Sequence, residues 1–457
     1  MPCSTVLRPL FVLTIASSAA AAFAQDPPTN VDGWFDPSFS GDGRLQITHA
    51  PASVFTDPQL MIQPGGRILI GGACKVGSDT YPCAARLLPD GTPDFSFGPN
   101  ATAAFVFDEF AGFPRGSTFA FAQQPDARFL VFGDNDYASE ASMGARLTRD
   151  GQLERWPGGA AVRSIPLSAH PTSPNSRINC ATVLANGKII VAGVANRLSN
   201  ADNEDFAIAR LNADLTLDTT FNSAGARPGV QLVAFDQGGD NRDQVAAVAV
   251  QRDGKIVAVG VVGIPIGYNG GVVRLNADGS LDTGFGSNGR ILFNPGQIAA
   301  LGAVAIDRQQ RIVVAGAVGD FNDSDMYVAR LRGADGALDV SFGGTGAVRY
   351  GGADLDSARA VAIQSDGRVV AAGTYGYNDF GVVRWRENGV VDSTFGVGGR
   401  STGSFAASGP TWTDGVTAMT LDGGRALVAG MNSITTDTSY IGVARLTADR
   451  IFIGGFE

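Results

Sequence analysis

Histidine and lysine are scarce in this sequence of 457 residues, which has only two histidines, His49 and His170, and three lysines. Neither histidine has metal-ligand spacing to another histidine or to a cysteine. No Gly-x-Ser-x-Gly elbow and no phosphate-binding glycine loop is present. The usual signatures of zinc, serine-hydrolase and nucleotide-binding sites are therefore missing. A carboxylate pair for glycoside hydrolysis would leave no such signature, because its separation is set in three dimensions.

Basic residues are outnumbered by acidic ones. There are 34 lysines and arginines against 44 aspartates and glutamates, a net charge of −10. This balance makes nucleic acids and anionic membranes unexpected partners. After the N-terminal segment, no run approaches 18 uninterrupted apolar residues, so we expect no integral membrane segment in the mature chain. We expect a monomer.

The N-terminal segment has the pattern of a signal peptide. Arg8 precedes an apolar run from Pro9 to Ala22, and the small-x-small sequence Ala22-Phe23-Ala24 follows. Residues 1–24 are predicted to be removed, residues 25–450 to form one domain, and residues 451–457 to be a C-terminal tail. The expected location is the periplasm, the extracellular space or the cell surface.

Three cysteines would remain after this cleavage. Cys74 and Cys83 lie on two apolar segments joined by a short loop, which allows a disulfide across a hairpin in an oxidising compartment. Cys180 occupies a position that is alanine in other copies of the repeat described below, which predicts a small buried thiol.

Glycine, by contrast, is abundant at 61 residues, and many of these glycines belong to a repeat. An apolar run ends in glycine seven times, at Gly72, Gly133, Gly193, Gly260, Gly316, Gly373 and Gly430. A second run ends in arginine seven times, at Arg86, Arg146, Arg210, Arg274, Arg330, Arg384 and Arg445. Seven copies are therefore present, spaced by 54 to 67 residues.

Each copy contains four strand-like runs. In the fourth copy they cover 246–251, 255–260 and 271–275, with a last run that opens at Leu281 and continues to Phe293. Alternating apolar residues and glycine- or asparagine-rich turns favour strands. The sequence thus predicts an all-β, seven-bladed β-propeller of four-stranded blades.

The two ends of the chain predict how the ring closes. The stretch from Trp34 to Arg44 resembles a fourth strand without its own repeat, and the seventh copy has only three strands. The N-terminal strand is therefore expected to complete the last blade. Phe456 in the tail has the spacing of a repeat phenylalanine and is an alternative occupant of the same position.

The recurring pattern DG-x-LD-x-x-FG-x-x-G resembles the delta-60 repeat family of bacterial β-propellers, whose function is unassigned. The resemblance covers roughly residues 31–450, and the second copy departs most, with Glu154-Arg155-Trp156 in place of Asp-x-x-Phe. It implies a propeller fold and export, and it brings no catalytic residues.

Five aspartates in this pattern precede a phenylalanine by three residues: Asp94, Asp218, Asp282, Asp339 and Asp392. A ring of carboxylates could suggest metal binding. Their place after a turn instead favours a structural role, in which each accepts backbone N–H bonds and pairs with the recurring arginine.

Length variation points to one face of the ring. The first-to-second and third-to-fourth turns share one face, and the remaining connections share the other. From arginine to phenylalanine the spacing is 11 residues in five of seven copies, whereas from glycine to arginine it varies from 11 to 17. Variable connections usually form the binding surface of a repeat fold.

A polar position recurs on that face five residues before the arginine in copies three to six: Asp205, Asn269, Asp325 and Asp379. Asp320 and Asp323 lie in the same loop as Asp325, and Asp236, Asp240 and Asp243 extend the acidic character. Such oxygen-rich loops suit calcium, and solvated turn residues are the alternative interpretation.

The sequence therefore favours a secreted binding or scaffold protein, which holds an extracellular protein, a glycan or a cation on its variable face and is not an enzyme. One alternative is a propeller hydrolase or lyase acting on an extracellular polymer. Another is a surface-anchored structural module, in which the C-terminal tail would matter.

Overall fold

The structure is a computed structural model. It describes residues 13–16, 33–49, 55–76, 79–98, 104–106, 119–133, 142–168, 176–196, 203–238, 242–294, 298–320, 322–352, 354–376, 379–405, 413–435 and 438–447. None of these residues forms a helix, and so no helix able to cross a membrane is found among them.

The strands form seven blades in chain order, confirming the predicted seven-bladed β-propeller. Blade 1 contains β3 (Phe55–Ile62), β4 (Ile68–Val76), β5 (Asp79–Leu87) and β6 (Ala104–Val106), and blade 2 contains β7 (Phe119–Gln123), β8 (Phe129–Gly133), β9 (Ser142–Leu147) and β10 (Val162–Ile165). Blade 3 contains β11 (Ser176–Val183), β12 (Ile189–Asn196), β13 (Glu204–Leu211) and β14 (Val230–Val233), and blade 4 contains β15 (Gln244–Val250), β16 (Ile256–Gly263), β17 (Tyr268–Leu275) and β18 (Arg290–Phe293). Blade 5 contains β19 (Ile298–Ile306), β20 (Ile312–Gly319), β21 (Ser324–Leu331) and β22 (Ala347–Tyr350), and blade 6 contains β23 (Ser357–Ile363), β24 (Val369–Tyr375), β25 (Asp379–Trp385) and β26 (Arg400–Gly403). Blade 7 contains β27 (Thr413–Asp422), β28 (Arg425–Thr435), β29 (Thr438–Arg445) and β2 (Arg44–His49).

The first strands of the blades form the inner ring. Each contacts the first strand of the next blade, and β27 contacts β3, so the ring is closed. As predicted, the last blade is completed from the N-terminus: β2 pairs antiparallel with β29, with Arg44 opposite Ala444 and Ile47 opposite Ile441. A further strand, β1 (Leu13–Ala16), pairs with the outer edge of β2. Because β1 lies inside the predicted signal peptide, cleavage there would leave β2 as the outer strand.

The fourth strand of a blade is shorter than the sequence predicted. In blade 4 the fourth strand was predicted to begin at Leu281 but begins at Arg290. Leu281 forms only an isolated bridge with Leu275. Between them the chain turns at Asp282, whose carbonyl accepts the N–H of Phe285. That turn directs Phe285 into the space between blades, where it is fully buried.

The recurring glycine of the second strand is explained by a bulge in the first strand. In blades 3 to 7 the inner strand carries one unpaired residue, at Asn179, Ala246, Gly302, Arg359 and Thr417. The bulge pushes a carbonyl oxygen towards the neighbouring strand. A Cβ on Gly316 would lie 1.8 Å from the carbonyl oxygen of Ala300, so only glycine fits there.

The recurring arginine, aspartate and phenylalanine form one unit, which we call the clasp. In blade 4, Arg274 Nε donates to Asp282 Oδ2 at 2.7 Å, and its guanidinium lies 4.2 Å from the centre of the Phe285 ring. Arg274 Nη2 also donates to the carbonyl oxygen of Ala334, in a turn of blade 5, at 2.9 Å. The clasp therefore joins successive blades, confirming the structural role predicted for these aspartates.

The divergent second repeat and the closing strand preserve the clasp. Arg146 pairs with Glu154 at 2.5 Å and lies over the Trp156 ring. In blade 7, Arg445 reaches Asp36 at 2.8 Å and lies over Phe39, which is fully buried. Phe39, rather than the alternative Phe456, thus fills this position; Phe456 itself is outside the described residues.

Two cysteines lie where blades 7 and 1 meet, and the third, Cys180, lies on β11 of blade 3. Cys74 and Cys83 are joined by a disulfide across the β4–β5 hairpin, with their Cα atoms 5.8 Å apart, and both are fully buried. Cys180 is a free thiol whose hydrogen bond goes to the carbonyl oxygen of Ala192, and burial raises its pKa to about 12.

Candidate functional site on the variable face

We call the face formed by the second-to-third strand loops and the connections between blades the variable face, and the opposite one the turn face. The four predicted polar residues occupy one equivalent position on the variable face. Each lies on a third strand, two residues before the partner of the recurring glycine: Asp205, Asn269, Asp325 and Asp379. The common position inferred from the sequence is therefore real.

Their exposure differs along the ring. Asp205 and Asn269 are buried, at 1% and 3% exposed, whereas Asp325 is partly buried and Asp379 is exposed. The alternative interpretation, that these are solvated turn residues, is therefore wrong for Asp205 and Asn269. Next to Asp205, the connection to the following blade forms a parallel bridge, between Glu204 and Arg242.

A second set of aspartates belongs to the same surface. Asp243, Asp356 and Asp414 each lie at or just before the inner strand of the next blade, and each is at most 1% exposed. Asp243 accepts the N–H of Phe235 at 2.8 Å and that of Gly263 at 3.2 Å. These bonds tie the inter-blade connection to the second-to-third strand loop of blade 4.

Asp356 makes the same two bonds in blade 6. Its Oδ1 accepts the N–H of Gly376 at 2.6 Å, and its Oδ2 accepts that of Gly352 at 3.0 Å. Asp414 differs. Its Oδ2 accepts the N–H of Phe405 at 3.2 Å, but its Oδ1 is buried without a hydrogen-bond partner.

The two sets of aspartates face each other across blade junctions, forming pairs 205/243, 325/356 and 379/414. The middle pair shows the packing directly. A Cβ on Gly351 would lie 2.2 Å from Asp325 Oδ1 and 2.7 Å from Asp356 Oδ2, so both oxygens converge on this glycine. At the junction of blades 4 and 5 the equivalent residues are Asn269 and Ala299, so no such pair exists there.

Burial has a clear electrostatic effect on the second set. Desolvation, helped by the charge of Asp205, raises the pKa of Asp243 to about 6 despite its backbone hydrogen bonds. Desolvation and the charge of Asp379 likewise raise the pKa of Asp414 to about 6. The pKa of Asp356 is also raised, first by burial and then by Asp325. All three junctions therefore hold a buried carboxyl group whose pKa is raised.

The other acidic residues predicted for this face are Asp320, Asp323, Asp236 and Asp240. Asp320 Oδ1 accepts the N–H groups of Asn322 at 2.8 Å and Asp323 at 3.0 Å, which closes the loop of blade 5. Asp323 and Asp236 are exposed, and Asp240 lies outside the described residues. In the part of the chain that the structure describes, no group of three or more His, Cys, Asp or Glu side chains is arranged to hold a metal ion. The calcium hypothesis therefore gains no support from this geometry.

An apolar groove lies elsewhere. About 590 Å³ in volume, it runs between blades 4 and 5 and is lined by residues that include Leu292, Tyr327 and Leu338. Its walls include the third-to-fourth strand turn of blade 5. His49 is the last residue of β2, and His170 lies outside the described residues.

Asp356 and Asp414 were not predicted from the sequence. A signal was available: Asp243, Asp356 and Asp414 each precede an alanine by four residues, and that alanine follows the bulge of the inner strand. The pattern becomes visible only when repeats are aligned on the bulge rather than on the turn that follows it.

The fold and its clasps define a seven-bladed β-propeller built from one repeat. Five stretches, less than half of the chain, match a family described as a domain of unknown function (DUF5122) beta-propeller, at residues 63–97, 184–221, 251–285, 311–342 and 364–395. Each ends at the phenylalanine of a clasp. The match supports the expected likeness to propeller repeats of unknown function, although the description does not carry the delta-60 name. No curated protein matches the sequence.

Solved structures resemble the chain at low identity. A protein of unknown function from Dyadobacter fermentans is 12% identical, with 92% of this chain and 97% of that one covered and a TM-score of 0.43. The polysaccharide lyase Uly1 is 8% identical, with 96% and 99% covered and a TM-score of 0.47. A Trypanosoma rangeli sialidase is 10% identical, with 89% and 56% covered and a TM-score of 0.39. These likenesses contribute nothing to an assignment of function.

Proposed function

We propose that this chain is an exported binding propeller whose variable face holds a positively charged segment of another protein. The observation that carries the proposal is a contrast between the clasps and the variable face. The clasp aspartates each pair with an arginine, as Asp392 does with Arg384 at 2.9 Å. On the variable face, Asp236, Asp323, Asp354 and Asp379 are exposed, and none of the described residues forms an ion pair with them.

Such a face attracts a cationic partner. The exposed carboxylates and the buried aspartate pairs beneath them together give this face a negative potential. Lysine- and arginine-rich segments are complementary to that potential, and association would weaken with salt. Export rests on the predicted signal peptide at residues 1–24 and is part of the proposal.

A hydrolase or lyase acting on an extracellular polymer is the second candidate, since carboxyl groups with separated pKa values are what acid–base catalysis uses. The burial of Asp243, Asp356 and Asp414 argues against it, because a polymer cannot reach them. A surface-anchored module depends on residues 451–457, which lie outside the described residues.

Binding of a fluorescent lysine-rich peptide, measured by anisotropy at low and at physiological salt, tests the proposal. The variant with Asp323→Asn, Asp354→Asn and Asp379→Asn should bind at least about fivefold more weakly, which is roughly 1 kcal/mol. The control with Asp253→Asn, Asp278→Asn and Asp366→Asn has the same net charge but changes exposed turn-face residues, and should bind like the wild type.

Three results would contradict the proposal. Equal losses in both variants would mean that only net charge matters. A calcium-dependent rise in melting temperature, reversed by chelation and absent from the variable-face variant, would reassign the ligand to a cation. Turnover of a polysaccharide would make the chain an enzyme.

A further inference from the structure

The junction of blades 6 and 7 differs from the other two that hold aspartate pairs. Asp243 and Asp356 each have both carboxyl oxygens occupied by backbone N–H groups. At Asp414 the oxygen equivalent to Asp356 Oδ1 has no partner, although the residue is 0% exposed. A buried carboxylate oxygen without a donor is costly when charged, and a proton relieves that cost.

The groups around Asp414 are defined on each side. Ser404 and the N–H of Phe405 donate to it from the connection between the blades, and Thr374 of β24 lies against the adjacent Gly415. The charged side chain acting on it from β25 is Asp379. Arg400 of β26 lies over the Tyr375 ring, 4.0 Å from its centre. The near neighbour of like charge is therefore not offset by an ion pair to Asp414 among the described residues.

We propose that Asp414 is a proton-controlled contact between blades 6 and 7, strengthened when Oδ1 takes up a proton from solvent and weakened when Asp414 and Asp379 are both charged. A neutral Asp414 keeps Oδ2 as the acceptor for Phe405 and no longer repels Asp379. Blade 7 also contains the closing strand β2, so this contact bears on closure of the ring.

The direction of the pH effect follows from the raised pKa of Asp414, about 6 against 3.8 for a free aspartate. The folded chain binds this proton more tightly than the unfolded chain does. Stability from this group is therefore fully present below about pH 4 and is lost as the pH rises through about 6.

Asparagine variants separate a proton site from a merely structural residue. In Asp414→Asn the amide oxygen can still accept from Phe405, while the NH₂ group replaces the orphan oxygen and imitates the protonated acid. In Asp356→Asn an NH₂ group must instead face a backbone N–H that the carboxylate accepted. We expect Asp414→Asn to be more stable than the wild type at pH 7.5 and Asp356→Asn to be less stable.

The measurement is the melting temperature at pH 7.5 and 5.5 at constant ionic strength. The wild type should gain about 1 °C from this group on acidification. Asp414→Asn should start higher at pH 7.5 and gain less, and Asp379→Asn should also start higher because a repelling charge is gone. Destabilisation by Asp414→Asn at pH 7.5, or an acid gain as large as in the wild type, would overturn the proposal.

Discussion

At the scale of single residues, the clasp shows how charge is used inside this protein. Burial alone would raise the pKa of Asp392. Hydrogen bonds from Thr394 and the charge of Arg384 outweigh that effect and hold the pKa below its usual value of 3.8. Burial raises the pKa values of the variable-face aspartates Asp243 and Asp414, with which no cation among the described residues forms an ion pair. At Asp392 the hydrogen bonds from Thr394 and the charge of Arg384 together outweigh burial.

Removing one member of a buried clasp should be severe. Asp392→Ala would leave the Arg384 guanidinium, 0% exposed, without its carboxylate, at a cost of about 3 to 5 kcal/mol. Thermal or urea unfolding measures the loss. The matched control is Asp335→Ala, which removes an exposed ion pair with Arg332 and should change stability little. Similar losses in both variants would mean that the clasp is not a buried structural unit.

Residues were predictable from the sequence to the extent that they recur. The arginine and aspartate appear in nearly every copy, so their shared structural role could be inferred before any contact was known. Asp356 and Asp414 were missed because their constant distance from the bulge alanine is hidden when the repeats are aligned on the turn. Their burial depends on contacts across a blade junction, which the sequence pattern does not contain.

At the scale of elements, the bulge and its glycine form one feature shared by two strands. Gly316→Ala would place a methyl group 1.8 Å from the carbonyl oxygen of Ala300, and backbone on both sides would have to move. We expect a loss of roughly 2 to 4 kcal/mol.

The control for this substitution is Gly352→Ala, since nothing lies within 4 Å of its Cβ position and its N–H bond to Asp356 is kept. It should leave the melting temperature almost unchanged. If Gly316→Ala were equally harmless, the bulge would not be the reason for the recurring glycine.

The number and order of strands followed from alternation and turn residues. The bulge could not be read in that way, since an extra residue in a strand looks like an irregular alternation. The start of the fourth strand was misplaced at Leu281 because an apolar residue after a turn imitates a strand, while the buried Phe285 requires the chain to turn inward first.

At the scale of the whole molecule, closure depends on a segment far from its partner in sequence. Deletion of residues 34–47 would remove β2, Asp36 and Phe39 together, exposing the edge of β29 and a buried arginine. We expect aggregation or a large fall in melting temperature. Deletion of residues 451–457 is the control and should leave the melting temperature unchanged, because Phe39 fills the clasp of blade 7. A fall in melting temperature on deleting residues 451–457, with no fall on deleting residues 34–47, would instead place the tail in that position.

Seven repeats, an unmatched N-terminal strand and a last copy of three strands were enough to predict this architecture. The candidate site was only half predictable. One member of each aspartate pair recurs in the sequence, and the other is contributed by the next blade.

The direction of the clasp also bears on how such a chain can change in length over generations. Arg86, Arg210, Arg330 and Arg445 each donate to a turn carbonyl of the following blade, at Arg149, Ala277, Glu387 and Pro89. Where this contact is present, duplicating or losing one whole repeat leaves the donor with an acceptor, because the receiving turn recurs in the next copy. A duplication that ends inside a repeat would leave an arginine without its carboxylate. We therefore expect changes in the number of blades to be tolerated in whole repeats.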